Sequence, residues 1–146
     1  CYKPTIFDGI SSNVVVHRKN GSEAVYDSVK NFFTHEINKN FKFVFAGDGI
    51  SPYQEREQWT DGCNLVAIRP GIAIAYDRNP KTDLALMDAG YNVIHATDFL
   101  TDVDQGKINP DTLTKTIINL PSNELSRARG GTHCMTCPII RESVHV

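Results

Sequence analysis

The sequence predicts a mixed α/β fold, and three neighbouring segments carry that prediction. "NLVAIR" and "IAIAYD", residues 64–69 and 72–77, are apolar strand patterns joined by Pro70-Gly71, which is hairpin chemistry. Asn79-Pro80 then opens a helix. Asparagine suits the N-cap, and proline suits the first helical position, where its missing N–H would have had no partner. That helix carries Leu84, Leu86 and Met87 at its apolar positions and stops at Gly90. "YNVIHAT" follows as a strand. The order strand, strand, helix, strand makes one compact supersecondary unit. At 146 residues the chain suits one domain or part of one, and can bury a core.

The remaining elements are read in order. After an irregular lead, "VVVHRK" is a strand ended by the turn dipeptide Asn20-Gly21. Ser22 is placed to cap a helix over "EAVYDSVKNFFTHEIN", where Val25, Val29, Phe32, Phe33 and Ile37 fall at helical spacing. "FKFVFAG" alternates like a strand. A glycine-containing loop leads to a short polar helix from Tyr53 to Trp59 and an Asp61-Gly62 turn. Residues 98–115 read as a polar excursion with a short helix capped near Asn109-Pro110. "TIINLP" is a further strand and "PIIRESV" the last one. No repeat or low-complexity segment is evident.

The chain is 40% hydrophobic and 22% charged, with a net charge of −2, so no basic surface points to nucleic acid. Apolar runs are a few residues long, against the roughly 20 a membrane span needs, and no signal-peptide pattern is visible. A cytoplasmic protein without nucleic-acid or membrane partners is expected. Its four cysteines, Cys1, Cys63, Cys134 and Cys137, are too sparse for a disulfide scaffold and are read as reduced thiols. A start at Cys1 reads as a processed or clipped piece; Cys1 is either an autoprocessed nucleophile or simply a cleavage boundary.

The densest chemistry lies in "NELSRARGGTHCMTCPIIR", residues 123–141. Cys134 and Cys137 form a Cys-x-x-Cys, but a structural zinc site wants four ligands and no second pair is present. A redox motif belongs at a helix N-terminus, whereas Pro138 leads into apparent strand. A third reading makes Cys134 a nucleophile. Gly130-Gly131 lets backbone approach a substrate closely, and Arg127 with Arg129 makes the surroundings electropositive. Against it stands a bland alternative, an exposed arginine pair beside a buried cysteine.

"ELSRARGGTHCMTCPIIR" resembles the C-terminal signature of the arginine deiminases, members of the guanidino-group-modifying superfamily. The likeness extends upstream through "EREQWTDGCNLVAIRPGIAIAYDRNPKTDLALMDAGYNVI", and so runs from Glu55 to Arg141. The combination is specific, whereas "GGxHC" alone would also admit amidinotransferases and other deiminases. The resemblance implies that the fold is part of a pseudo-fivefold α/β propeller built from ββαβ units. It implies Cys134 as the nucleophile that attacks the guanidinium carbon of L-arginine, releasing ammonia and then citrulline. Arg129 matches a mobile-loop arginine near the substrate carboxylate, and Arg127 is a weaker candidate for the same task. No proton-transfer role falls to His133, and Cys137 matches a position that is methionine in some relatives. No cofactor and no metal are implied.

This sequence also departs from the family pattern. The family's His-x-Asp motif is missing, since Arg18 follows His17, Glu36-Ile37 follows His35, and Ala96-Thr97 follows His95. Residues 1–146 therefore read as the C-terminal part of a single catalytic domain. The absent N-terminal part would supply the acid/base and guanidinium-binding groups, and homo-oligomerisation is expected. The stretch from Asp98 to Lys115 is longer than the link in compact bacterial forms, which implies a surface insertion. Alternatives are an agmatine deiminase or amidinotransferase type of enzyme, or a noncatalytic zinc or redox module built on Cys134 and Cys137.

Overall fold

A computed structural model describes residues 1, 3, 7 and 13–140 of the chain. Strand β1 (Val14–His17) and strand β2 (Glu23–Tyr26) form an antiparallel hairpin, with Val14 opposite Tyr26 and His17 opposite Glu23. The helix expected from residue 23 is thus a strand over its first four residues. The Asn20-Gly21 turn is the reason. Gly21 takes φ 84°, and the Asn20 side chain accepts hydrogen bonds from Ser22 N and Oγ, so the chain doubles back onto β1. The helix cap moves to Ser28, whose side chain accepts from Asn31 N at 3.1 Å. Helix α1 (Val29–Phe32) then runs into a π-helical turn over Phe33–Ile37.

"FKFVFAG" is not a strand either. It carries an isolated bridge at Phe45, followed by a 3₁₀ turn over Ala46–Gly49. Its side chains pack on α1 and the π-helical turn after it instead of alternating across a sheet. Phe41 meets the Phe33 ring at 5.2 Å between centroids, and the Lys30 ammonium lies 4.7 Å from the Phe45 ring. At Gly47, φ is 59°, and a Cβ would sit 2.3 Å from the backbone of Tyr53 and Gln54, so only glycine fits.

Helix α2 occupies the expected Tyr53–Trp59. Beyond it lies a four-stranded sheet of β3 (Val66–Arg69), β4 (Ile72–Tyr76), β5 (Asn92–His95) and β6 (Thr116–Leu120), in the order β3-β4-β6-β5. The β3–β4 pair is the expected antiparallel hairpin, whereas β6 runs parallel to both β4 and β5. Helix α3 (Pro80–Asp88) carries the chain from β4 to β5, leaving the slot between them for β6. Of the three apolar positions assigned to it, only Leu86 is buried. Thr82 and Ala85 complete its inner face, while Leu84 and Met87 face outward.

The stretch read as an insertion is in part a connection. Helix α4 (Ala96–Asp104) links β5 to β6, which are parallel neighbours and cannot be joined by a tight turn. The cap at Asn109 is as expected, its side chain accepting from Asp111 N at 3.0 Å ahead of a 3₁₀ turn at Pro110–Thr112.

The core forms around β6, where Thr116, Ile117, Ile118 and Asn119 are all buried. Ile117, Ala75 and Leu86 make its centre, with Leu65, Ala73, Tyr91 and Val93 packed around them. Pro138, Ile139 and Ile140 are irregular; the remainder of the expected last strand lies outside the described residues. Among the described residues no helix is long and apolar enough to cross a membrane.

Candidate active site

Parallel pairing sets the carboxyl ends of β4 and β6 side by side, and the glycine-rich loop departs from that edge. Residues just after β4 pin it there. Asp77 Oδ1 accepts from Ser122 N at 3.1 Å and from Ser122 Oγ at 3.0 Å. The Arg78 guanidinium donates to Asn123 O at 2.7 Å.

The loop then turns through a short 3₁₀ segment, Leu125–Ala128, and reaches Arg129 and Gly130 at φ 63° and 110°. From here the turn that follows α2 takes over as its support. Asp61 Oδ2 accepts from Gly130 N at 2.9 Å. Gly131 lies so close to Asn64 that a Cβ would come within 2.4 Å of Asn64 Cβ and 2.7 Å of its carbonyl oxygen. Buried Thr132 directs its hydroxyl between Ile74 O at 2.8 Å and Asn64 O at 3.0 Å. Cys134 follows on the one-turn segment His133–Met135, exposed, and the Asn64 Nδ2 amide donates to its sulfur at 2.9 Å.

The two arginines are placed differently. Arg129 stacks its guanidinium 4.1 Å from the centroid of the Trp59 ring, which is 61% exposed. Arg127 pairs with Glu124 at 2.7 Å on the surface, so its charge is met locally. The hydrogen-bond donor at Cys134 is Asn64 and neither arginine. Cys137 is exposed, and among the described residues no group of three or more His, Cys, Asp or Glu side chains is arranged to hold a metal ion. His133, Cys137 and Pro138 line a 340 Å³ hollow with Val66 and Thr136. The larger groove, 530 Å³, lies elsewhere, between the sheet and α3, bounded by Leu65, Ala67, Ala73, Leu86 and Ile117. That groove borders the core residues Leu86 and Ile117, whereas Cys134 and both arginines are on the loop.

Sequence reading missed Asn64, Asp61 and Trp59. No spacing rule could have found the first, since 70 positions separate it from Cys134. Two half-buried groups of the chain carry shifted ionisation. Burial pushes the Cys63 thiol up to about 11. Burial also raises the Asp83 carboxyl to about 6, against a hydrogen bond from Asn119 that acts to lower it.

A family model described as arginine deiminase matches residues 15–141, from β1 through the whole of the Cys134 loop. The chain belongs to the arginine deiminase family. Curated arginine deiminases resemble it along nearly all its length. That of Mycoplasma capricolum is 32% identical over 142 residues, covering 97% of this chain and 29% of its own length. The enzyme of Pediococcus pentosaceus is 30% identical over 141 residues, 94% of this chain and 29% of its own. That of Oenococcus oeni is 31% identical over 135 residues, 90% of this chain and 27% of its own. The chain therefore spans under a third of the length of these relatives. Within the arginine deiminase segment, "REQW" proves to be largely scaffold: Glu57 and Gln58 are buried, and Trp59 meets the loop through Arg129.

Proposed function

We propose that this chain supplies the nucleophile, Cys134, to an arginine deiminase that hydrolyses L-arginine to L-citrulline and ammonia. The carrying observation is the Asn64 amide at 2.9 Å from the Cys134 sulfur, on a loop held to strand β4 and to the turn after α2. An exposed sulfur with a fixed donor on one side has a defined direction of approach for a planar, cationic carbon centre.

In the proposed reaction Cys134 Sγ bonds to the guanidinium carbon. One C–N bond then breaks, and its nitrogen takes up a proton and departs as ammonia. The thiouronium-type adduct left on sulfur is opened by water at the same carbon. The C–S bond breaks, the electron pair returns to sulfur, and the ureido group of citrulline is released. Arg129 is the proposed partner of the substrate carboxylate, its planar, permanently charged fork suiting a bidentate contact. It would leave the Trp59 ring to do so. Arg127, tied to Glu124, is the lesser candidate.

The remainder of the family's polypeptide would supply the acid/base group and the carboxylates that grip the guanidinium. The two parts would complete a pseudo-fivefold propeller of cytoplasmic, homo-oligomeric enzyme. Replacing Cys134 by serine in the full-length polypeptide should abolish citrulline formation while leaving the circular-dichroism spectrum unchanged. Turnover surviving in Cys134→Ser would sink the proposal.

A further inference from the structure

Two thiols outside the candidate active site face each other. The sulfurs of Cys1 and Cys63 lie 2.9 Å apart, although 62 positions separate the residues. Both are free thiols, Cys1 exposed and Cys63 half-buried. The approach is not a stray side-chain contact. Cys1 Sγ also faces Gly62 O at 3.8 Å, and Lys3 reaches Asp61 Oδ1 at 4.0 Å, so Cys1 and Lys3 both sit along the turn from Asp61 to Cys63. Only a short movement separates these sulfurs from bonding distance.

We propose that Cys1 and Cys63 form a reversible disulfide, a redox modification site whose oxidant is a small-molecule disulfide of the glutathione type. The exposed Cys1, as thiolate, attacks one sulfur of glutathione disulfide and expels one glutathione thiolate, leaving a mixed disulfide on Cys1. Cys63 then attacks Cys1 Sγ, passing its proton to the second departing glutathione thiolate. Two protein thiols are oxidised and one glutathione disulfide is reduced to two thiols. The order follows from access: burial holds Cys63 protonated with its pKa raised to about 11, so it acts second, as the resolving thiol.

The bond would fasten the leading segment to the turn that holds the nucleophile loop. Asp61 receives Gly130 N, Asn64 O receives Thr132, and Asn64 Nδ2 reaches Cys134, all within three residues of Cys63. The modification is separate from the reaction proposed for Cys134, and its test does not read activity.

The full-length polypeptide is incubated with glutathione disulfide, alkylated and digested without reduction, and its peptides are mapped by mass. The expected product is a Cys1–Cys63 linked peptide lost on dithiothreitol treatment, with Cys134 and Cys137 alkylated throughout. Cys63→Ser should stop at a glutathione adduct on Cys1, and Cys1→Ser should leave Cys63 an alkylatable thiol. A link from Cys63 to any other cysteine, or a wild-type chain that keeps both thiols free, would overturn the pairing.

Discussion

Asp83 is half-buried on α3 and is reached from β6, where Asn119 Nδ2 donates to its Oδ2 at 2.8 Å. Burial raises its carboxyl to about 6 from an ordinary 3.8, and the negative charge of Glu57 adds to the rise. The folded chain therefore holds this proton more tightly than the unfolded one. Its contribution to stability is complete below about 3.8 and is lost as pH rises through about 6. Asn119 Oδ1 is buried without a partner among the described residues, and a neutral group at position 83 could donate to it. Asp83→Asn should accordingly melt higher than the parent at about pH 7, with the gain shrinking toward about pH 4. Thermal scans across that range check it; a difference independent of pH would show that Asp83 ionises normally. Proximity in sequence is no guide to these roles, since Asn119 is 36 positions away.

At the scale of elements, α3 depends on α2 for its cap. The first N–H groups of a helix have no partner within it. Asn79, the expected cap, turns its Oδ1 to the Thr60 hydroxyl at 2.6 Å and makes no capping bond. Glu57 on α2 does the work from a buried position. One carboxylate oxygen accepts from Lys81 N at 2.9 Å, the other from Thr82 N and Thr82 Oγ1, both at 2.7 Å. Thr82 passes the arrangement on, its hydroxyl oxygen accepting from Gly47 N at 2.9 Å. Glu57→Gln replaces one acceptor oxygen by an amide donor and strands at least one buried N–H. The expected loss is roughly 1–3 kcal/mol, read as a lower urea midpoint at unchanged denaturant slope. An unaltered midpoint would mean that the cap is dispensable.

At the scale of the molecule, the sheet is narrow and its helix side incompletely filled. The 530 Å³ groove beside Leu65, Ala73 and Ile117 borders the same strands that lead to the Cys134 loop. The chain also spans only 29% of the length of its Mycoplasma capricolum relative. Under the proposed division of labour, the isolated 146-residue chain should yield no citrulline under conditions where the full-length polypeptide does. A colorimetric citrulline assay on both preparations checks this; turnover by the isolated chain would overturn the division.

Much was legible because it is written within a few neighbouring residues. Pro70-Gly71 between two apolar runs specifies a hairpin, Tyr53 to Trp59 a helix, and Asn109-Pro110 a capped turn, each by local backbone preference. The loop from Arg129 to Cys134 stands out for the same reason, since its chemistry is contiguous. Residues 23–26 were misread because their apolar spacing suits a helix, and only pairing with β1 makes them a strand. "FKFVFAG" alternates well, yet its rings meet Phe33 and Lys30, and among the described residues it pairs as an isolated bridge at Phe45. The sequence by itself determined the α/β class, most of the central elements and the family. Tertiary structure alone decided that β6 enters between β4 and β5, and that Asn64 meets Cys134 across 70 positions. Local preferences are set by neighbouring residues, whereas strand order and long-range contacts are chosen by whichever packing buries the apolar faces and satisfies the backbone together.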